Sequence, residues 1–149
     1  IIQALTEAHQ RGVQVRILLD ANAQGFGYKK SGIPNQTVAS ELHQAGVNVR
    51  WCAVQQEQCH SKMLMVADGQ NAEILLGSAN FTARNLKNYN LESDVVVKMP
   101  VSHTAYQTAQ SFFEQQWQQR SVDYARYANE SRWDYWKYRW QEWSGLSSF

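Results

Sequence analysis

Charge of one sign is what this chain lacks most plainly. Its 14 Lys and Arg residues face 13 Asp and Glu, a formal net charge of +1. Sequence-independent nucleic-acid binding draws on a basic surplus, so that class of function is disfavoured and only a local basic groove is left open to it. No run of about 18 apolar residues occurs, so no segment reads as a membrane span. No stretch reads as a signal peptide. Cysteine is scarce, with 2 in 149 residues, Cys52 and Cys59. They flank the polar loop Ala53 to Gln58, and two readings stand. A disulfide clamps that loop in an oxidising compartment, or two unrelated thiols sit at strand ends.

The rest of the composition is globular, 44% apolar and 18% charged. A chain of 149 residues makes one domain that buries roughly 70% of its unfolded surface. It opens on Ile1, inside what reads as a helix, so further sequence is expected upstream, with any localisation signal in it.

Ile1 to Gln10 reads as a helix stopped by Gly12. Val13, Val15, Ile17, Leu18 and Leu19 form a buried strand ending at Asp20. Ala21 to Pro34 is a Gly-containing loop that includes Tyr28-Lys29-Lys30. Asn35 to Ala45 reads as a helix with Val38, Ala39, Leu42 and Ala45 on one face, closed by Gly46. A short strand runs from Val47 to Trp51. Strands His60 to Ala67 and Ala72 to Leu76 follow, joined at Asp68-Gly69, a strong hairpin signal. Val95 to Lys98 is a further strand. Ser102 to Gln119 is a helix with Tyr106, Ala109, Phe113 and Trp117 as its apolar stripe. This alternation predicts an α/β layered domain.

The tail from Tyr124 to Trp143 repeats Trp133, Trp136, Trp140 and Trp143 at helical spacing, with Tyr124, Tyr127, Tyr135 and Tyr138 nearby. Either the stripe packs on the rest of the protein, or the helix lies in a membrane interface, where Trp and Tyr favour the headgroup region. Its charges are nearly balanced, which predicts weak attraction to anionic lipid.

The densest phosphate chemistry lies in the middle. His60 and Lys62 are two apart and project to one side if the strand begins there. Ser78 and Asn80 share a parity at the end of the run Ile74-Leu75-Leu76. Two adjacent strands then present an imidazole, an ammonium, a hydroxyl and an amide at one mouth, a set that suits a nucleophile and a phosphate cradle. His9, His43, His103 and Asp20 read as structural.

His60-Ser61-Lys62, then Gly77-Ser78-Ala79-Asn80-Phe81-Thr82, then Asn90-Leu91-Glu92 together resemble the phospholipase D superfamily. Its hallmark is His, any residue, Lys, four residues and Asp, followed by Gly-Ser-x-Asn. The likeness covers roughly residues 1–120, including Arg11-Gly12-Val13 before the first strand and Leu19-Asp20 at its end. It implies a layered phospholipase D/nuclease-like α/β domain over 1–120, N-terminally incomplete, with a mixed central sheet flanked by helices. Residues 121–149 form an aromatic-rich helical tail. It implies the C-terminal half of a two-motif bacterial protein, its compartment left open between the cytoplasm and outside it, with membrane association through the tail as one reading.

The activity implied is phosphodiester cleavage or transfer on phospholipids through a phosphohistidine, with no metal and no cofactor. His60 would be nucleophile or general acid. Lys62 and Asn80 would bind the non-bridging oxygens, with Ser78 supporting them. Glu92 would accept a hydrogen bond from His60 and hold its tautomer, as a carboxylate does best. The chemistry uses no thiol. A second motif is required, from an N-terminal half or a homodimer partner. Two other readings stay open. One is a metal-independent endonuclease with nucleic acid as partner, its groove lined by Arg84, Lys87 and Lys29-Lys30. The other is a non-catalytic half-domain, suggested by one departure from the pattern. Ala67 stands where the family has Asp, and Asp68, one residue on, would point to the opposite strand face.

Overall fold

Two helices end alike, and their endings aim the strands that follow. Helix α1 (Ile2–Gln10) stops with Gly12 at φ +88°, whose amide donates to the His9 carbonyl while the Val13 amide donates to Ala8. Helix α2 (Asn35–Gln44) stops with Gly46 at φ +87°, with Gly46 donating to His43 and Val47 to Leu42. In both, a left-handed glycine closes the last turn and satisfies carbonyls the helix leaves open. Val47 and Leu42, which such an ending brings together, are both buried.

The computed structural model describes residues 1–22, 24–25, 28–29, 32–53, 58–87, 90–129 and 131–144. They divide into two units, one made of Ile1–Cys59 and the chain from Trp117 on, the other of His60–Gln116. Lys30 and positions 54–57 of the inter-cysteine loop lie outside the described residues.

In the first unit, strand β1 (Arg16–Leu19) pairs in parallel with β4 (Asn48–Cys52), with Ile17 opposite Val49 and Leu19 opposite Trp51. A parallel pair needs a crossover, and α2 lies within it. A short hairpin, β2 (Gln24–Gly25) with β3 (Tyr28–Lys29), precedes α2. Strand β8 (Ser121–Asp123) adds to β4 antiparallel, so this sheet is mixed. The core is Ala21, Ala39, Leu42, Val47, Val49, Trp51 and Tyr124. Trp51 is fully buried, and its indole N–H donates to the Tyr124 carbonyl at 2.7 Å. An indole of this kind removes about 150–250 Å² from water, at most about 4–6 kcal/mol.

Cys52 and Cys59 are disulfide-bonded. Asp20 holds the same corner, accepting from the Asn22 amide at 2.6 Å and the Cys59 amide at 2.8 Å. His43 stacks on Tyr124 with ring centroids 3.9 Å apart.

In the second unit, β5 (Met63–Ala67), β6 (Asn71–Gly77) and β7 (Asp94–Pro100) form an antiparallel sheet with β6 central. Helix α3 (Ala83–Leu86) lies in the β6–β7 connection. Helix α4 (Thr104–Gln119) begins in this unit, capped by His103, whose Nδ1 accepts from the Ala105 amide at 3.1 Å.

One expectation needs correction. The strand expected from His60 begins at Met63, so His60 and Lys62 precede the regular ladder rather than share a strand face. The expected α/β layering, with a mixed sheet flanked by helices, is present as two three-stranded sheets, of which the first is mixed. The tail expected from residue 121 opens with β8, continues in a 3₁₀ turn over Tyr124–Tyr127, and becomes helical in α5 (Arg132–Ser144).

Candidate active site

The β5–β6 register continues past Met63 opposite Leu76 to one further bond, from the Gly77 amide to the Lys62 carbonyl at 3.4 Å. Lys62 therefore sits beside Gly77 at the open end of the sheet. Gly77 in turn pairs with Asp94 on β7. A Cβ at Gly77 would lie 2.6 Å from the Ser93 carbonyl oxygen and 2.7 Å from the Asp94 Cα, closer than real Cβ atoms come. Only glycine lets the strands run this close to their ends.

Beyond Gly77, the Ser78 amide donates to the Ser93 carbonyl at 3.2 Å and the Ser93 amide donates to Ser78 Oγ at 3.0 Å. The Ala79 amide donates to Asp94 Oδ1 at 3.1 Å. This lock turns Ser78 Oγ onto Glu92 Oε2 at 2.6 Å. The other Glu92 oxygen accepts from Asn85 Nδ2 in a short contact, and Asn85 Oδ1 accepts from Thr82 Oγ1 at 2.9 Å. Thr82 precedes α3 and Asn85 is its third residue, the spacing of a capping box with an amide in the acid's place. Asn85 is buried and was not expected at the site. Thr82-x-x-Asn85 is the one sequence signal that marks it.

His60 and Lys62 meet directly. Lys62 Nζ lies 2.7 Å from His60 Nδ1 and donates to the His60 carbonyl, also at 2.7 Å. An ammonium has donors only, so with Lys62 charged Nδ1 is the acceptor and the neutral ring carries its proton on Nε2. Partial burial pushes the Lys62 pKa down, and the nearby Glu92 carboxylate pushes it back up. Lys62 is thus coupled by charge to Glu92 and by hydrogen bond to His60.

The structure brings together His60 with Lys62, and Ser78 with Glu92. Glu92 bonds Ser78 and Asn85 rather than the His60 ring, because the Gly77–Asp94 pairing sets Glu92 alongside the Ser78–Ala79 turn. Asn80 is exposed, with a hydrogen bond from the Thr82 amide to its carbonyl at 2.8 Å. Asp68 closes the hairpin, its Oδ1 accepting from the Asn71 and Gln70 amides at 2.7 and 2.9 Å, while Ala67 pairs with Ala72. Among the described residues no three His, Cys, Asp or Glu side chains gather into a metal-ligating group. From Ser61 an open apolar groove of about 530 Å³ runs between the sheet and α4, lined by Met63, Leu76, Ala105, Ala109 and Phe112 among others.

The sequence pattern of the family described as "Cardiolipin synthase, PLD-like domain" matches residues 1–117. The chain belongs to this family, within the phospholipase D superfamily. That membership supports a phosphodiesterase-type function. No curated protein matches the chain.

Proposed function

We propose that this chain supplies one His-x-Lys half-site of a phosphodiesterase that acts on phospholipids by hydrolysis or headgroup transfer. The observation that carries the reading is the His60–Lys62 pair joined at 2.7 Å at the mouth of a sheet. A phosphate oxygen competes with Nδ1 for the Lys62 ammonium. Once Lys62 turns to phosphate, Nδ1 can take the ring proton and Nε2 is left with a lone pair. Nε2 then attacks phosphorus, the P–O bond to the alcohol breaks, and a second motif's His protonates the departing oxygen. Water or another alcohol then attacks phosphorus, forming a P–O bond as the P–N bond breaks, passes its proton to that second His and frees His60. In the complementary role, with Lys62 turned to phosphate, the His60 ring carries protons on both nitrogens, gives the Nε2 proton to the leaving alcohol and stays neutral with its proton on Nδ1. Lys62 and the exposed Asn80 amide neutralise charge on the non-bridging oxygens, and one such donor is worth about 3–4 kcal/mol. The second motif comes from an N-terminal half or a second copy.

A family described by a cardiolipin synthase supports a phospholipid-type phosphodiester, as does the apolar groove that starts at Ser61. The discriminating assay offers the full-length protein phospholipid vesicles and plasmid DNA, each with EDTA. Cleavage of lipid is expected. Cleavage of DNA alone would replace the reading with a nuclease, and cleavage of neither with a phosphate-binding half-domain.

A further inference from the structure

Helix α5 turns its four indoles outward. Ser131 starts it, its Oγ accepting from the Asp134 amide at 3.3 Å and its carbonyl from the Tyr135 amide at 3.1 Å. Tyr138 is only 7% exposed, whereas Trp133, Trp136, Trp140 and Trp143 are 78%, 65%, 58% and 85% exposed. Their spacings of three, four and three residues keep them within about 80° of the helix circumference, opposite Tyr138. A core helix buries its aromatic stripe; this one anchors through Tyr138 and leaves the stripe in water.

Charge is sorted around that stripe. Lys137 borders one edge and Arg132 and Arg139 the other, all three exposed. Asp134 is half-buried and its Oδ2 accepts from Asn129 Nδ2 at 2.9 Å. Among the described side chains, those that border the indoles are therefore basic, although charge along the sequence is nearly balanced. No Leu, Ile, Val or Met occurs from Arg132 to Ser144. A face of indoles edged by cations, without aliphatic side chains, suits the headgroup layer rather than the acyl interior.

We propose that the Trp133–Trp143 face of α5 docks the protein on the surface of a bilayer carrying anionic phospholipid. The indoles settle at headgroup level with the helix in the plane of the surface, and Arg132, Lys137 and Arg139 meet lipid phosphates. Docking raises the local concentration of lipid around the enzyme. It serves catalysis only if the phosphodiesterase reading above holds, but the docking itself is measured without turnover.

The test uses the full chain with vesicles of phosphatidylcholine alone and of phosphatidylcholine mixed with phosphatidylglycerol. Co-sedimentation reads binding, and quenching of tryptophan fluorescence by chain-brominated lipid reads contact. Trp51 and Trp117 are buried, so quenching reports the α5 indoles. Wild type is expected to bind the mixed vesicles with quenching. Changing all four indoles (Trp133→Ser, Trp136→Ser, Trp140→Ser, Trp143→Ser) is expected to weaken binding by about tenfold or more. Lys137→Gln with Arg139→Gln is expected to abolish the preference for phosphatidylglycerol. Wild type left in the supernatant, sedimentation without quenching, or equal binding to both vesicle types would each overturn the proposal. So would a dimer that buries the indoles and ignores vesicles, which would assign the face to a second copy. The wild-type quenching arm needs no variant to fold.

Discussion

Lys62 faces two demands at the residue scale. Partial desolvation favours its neutral form, while the work on a phosphate oxygen proposed for it requires the ammonium. Desolvation is the larger effect and leaves the Lys62 pKa below its ordinary value, and the Glu92 carboxylate offsets part of it. Glu92→Gln removes the charge and keeps an oxygen to accept from Asn85 or Ser78. Without the carboxylate the Lys62 pKa falls, so the ammonium is lost at a lower pH. The alkaline limb of the kcat/KM profile is expected to shift to lower pH in Glu92→Gln, with a smaller loss well below that limb. An alkaline limb that stays in place would remove Glu92 from this role. His60, Lys62, Ser78 and Glu92 were legible as a spaced pattern. Glu92's choice of Ser78 and Asn85 over the His60 ring was not, because it depends on Gly77 pairing with Asp94 and on Asn85 being carried into place by α3.

At the scale of elements, the β5–β6 hairpin turns on Asp68, with Ala67 paired to Ala72 in the ladder. Asp68 takes up the turn, alongside Gly69 at φ +93°. Bonds from the Asn71 and then the Gln70 amide hold the Asp68 carboxyl below the usual carboxylate range. A carboxyl whose folded pKa is depressed stabilises the fold above its unfolded pKa and loses that contribution as pH falls through the folded value. Asp68→Ala is expected to lower Tm at neutral pH, with the gap from wild type closing in acid below the carboxylate range. A gap unchanged by acid would mean that the charged form contributes nothing. The turn was legible because Asp-Gly between apolar runs has a local cause, and Gly12 and Gly46 marked the ends of α1 and α2 for the same reason. The start of β5 was less so. The matching parity of His60 and Lys62 pointed to a strand starting there, but the ladder has a partner only as far as Gly77 reaches.

For the whole molecule, family membership over residues 1–117 agrees with the layered α/β reading. The division into two sheets was not legible, because strand pairing is non-local. Ser121–Asp123 joins β4 about seventy residues upstream, and nothing in its own three residues announces that partner. The outward turn of the α5 indoles was likewise hidden, since periodicity places Trp133, Trp136, Trp140 and Trp143 on one face without saying which face meets the protein.

The central claim is that a single imidazole, held by an ammonium, handles the phosphoryl group as nucleophile or as acid. Either role disappears with the ring, so the most direct measurement is phospholipid turnover by His60→Asn in the full-length protein, with a chelator present and folding checked by circular dichroism. The account predicts a fall to background, and turnover at the wild-type rate by a folded His60→Asn protein would contradict it.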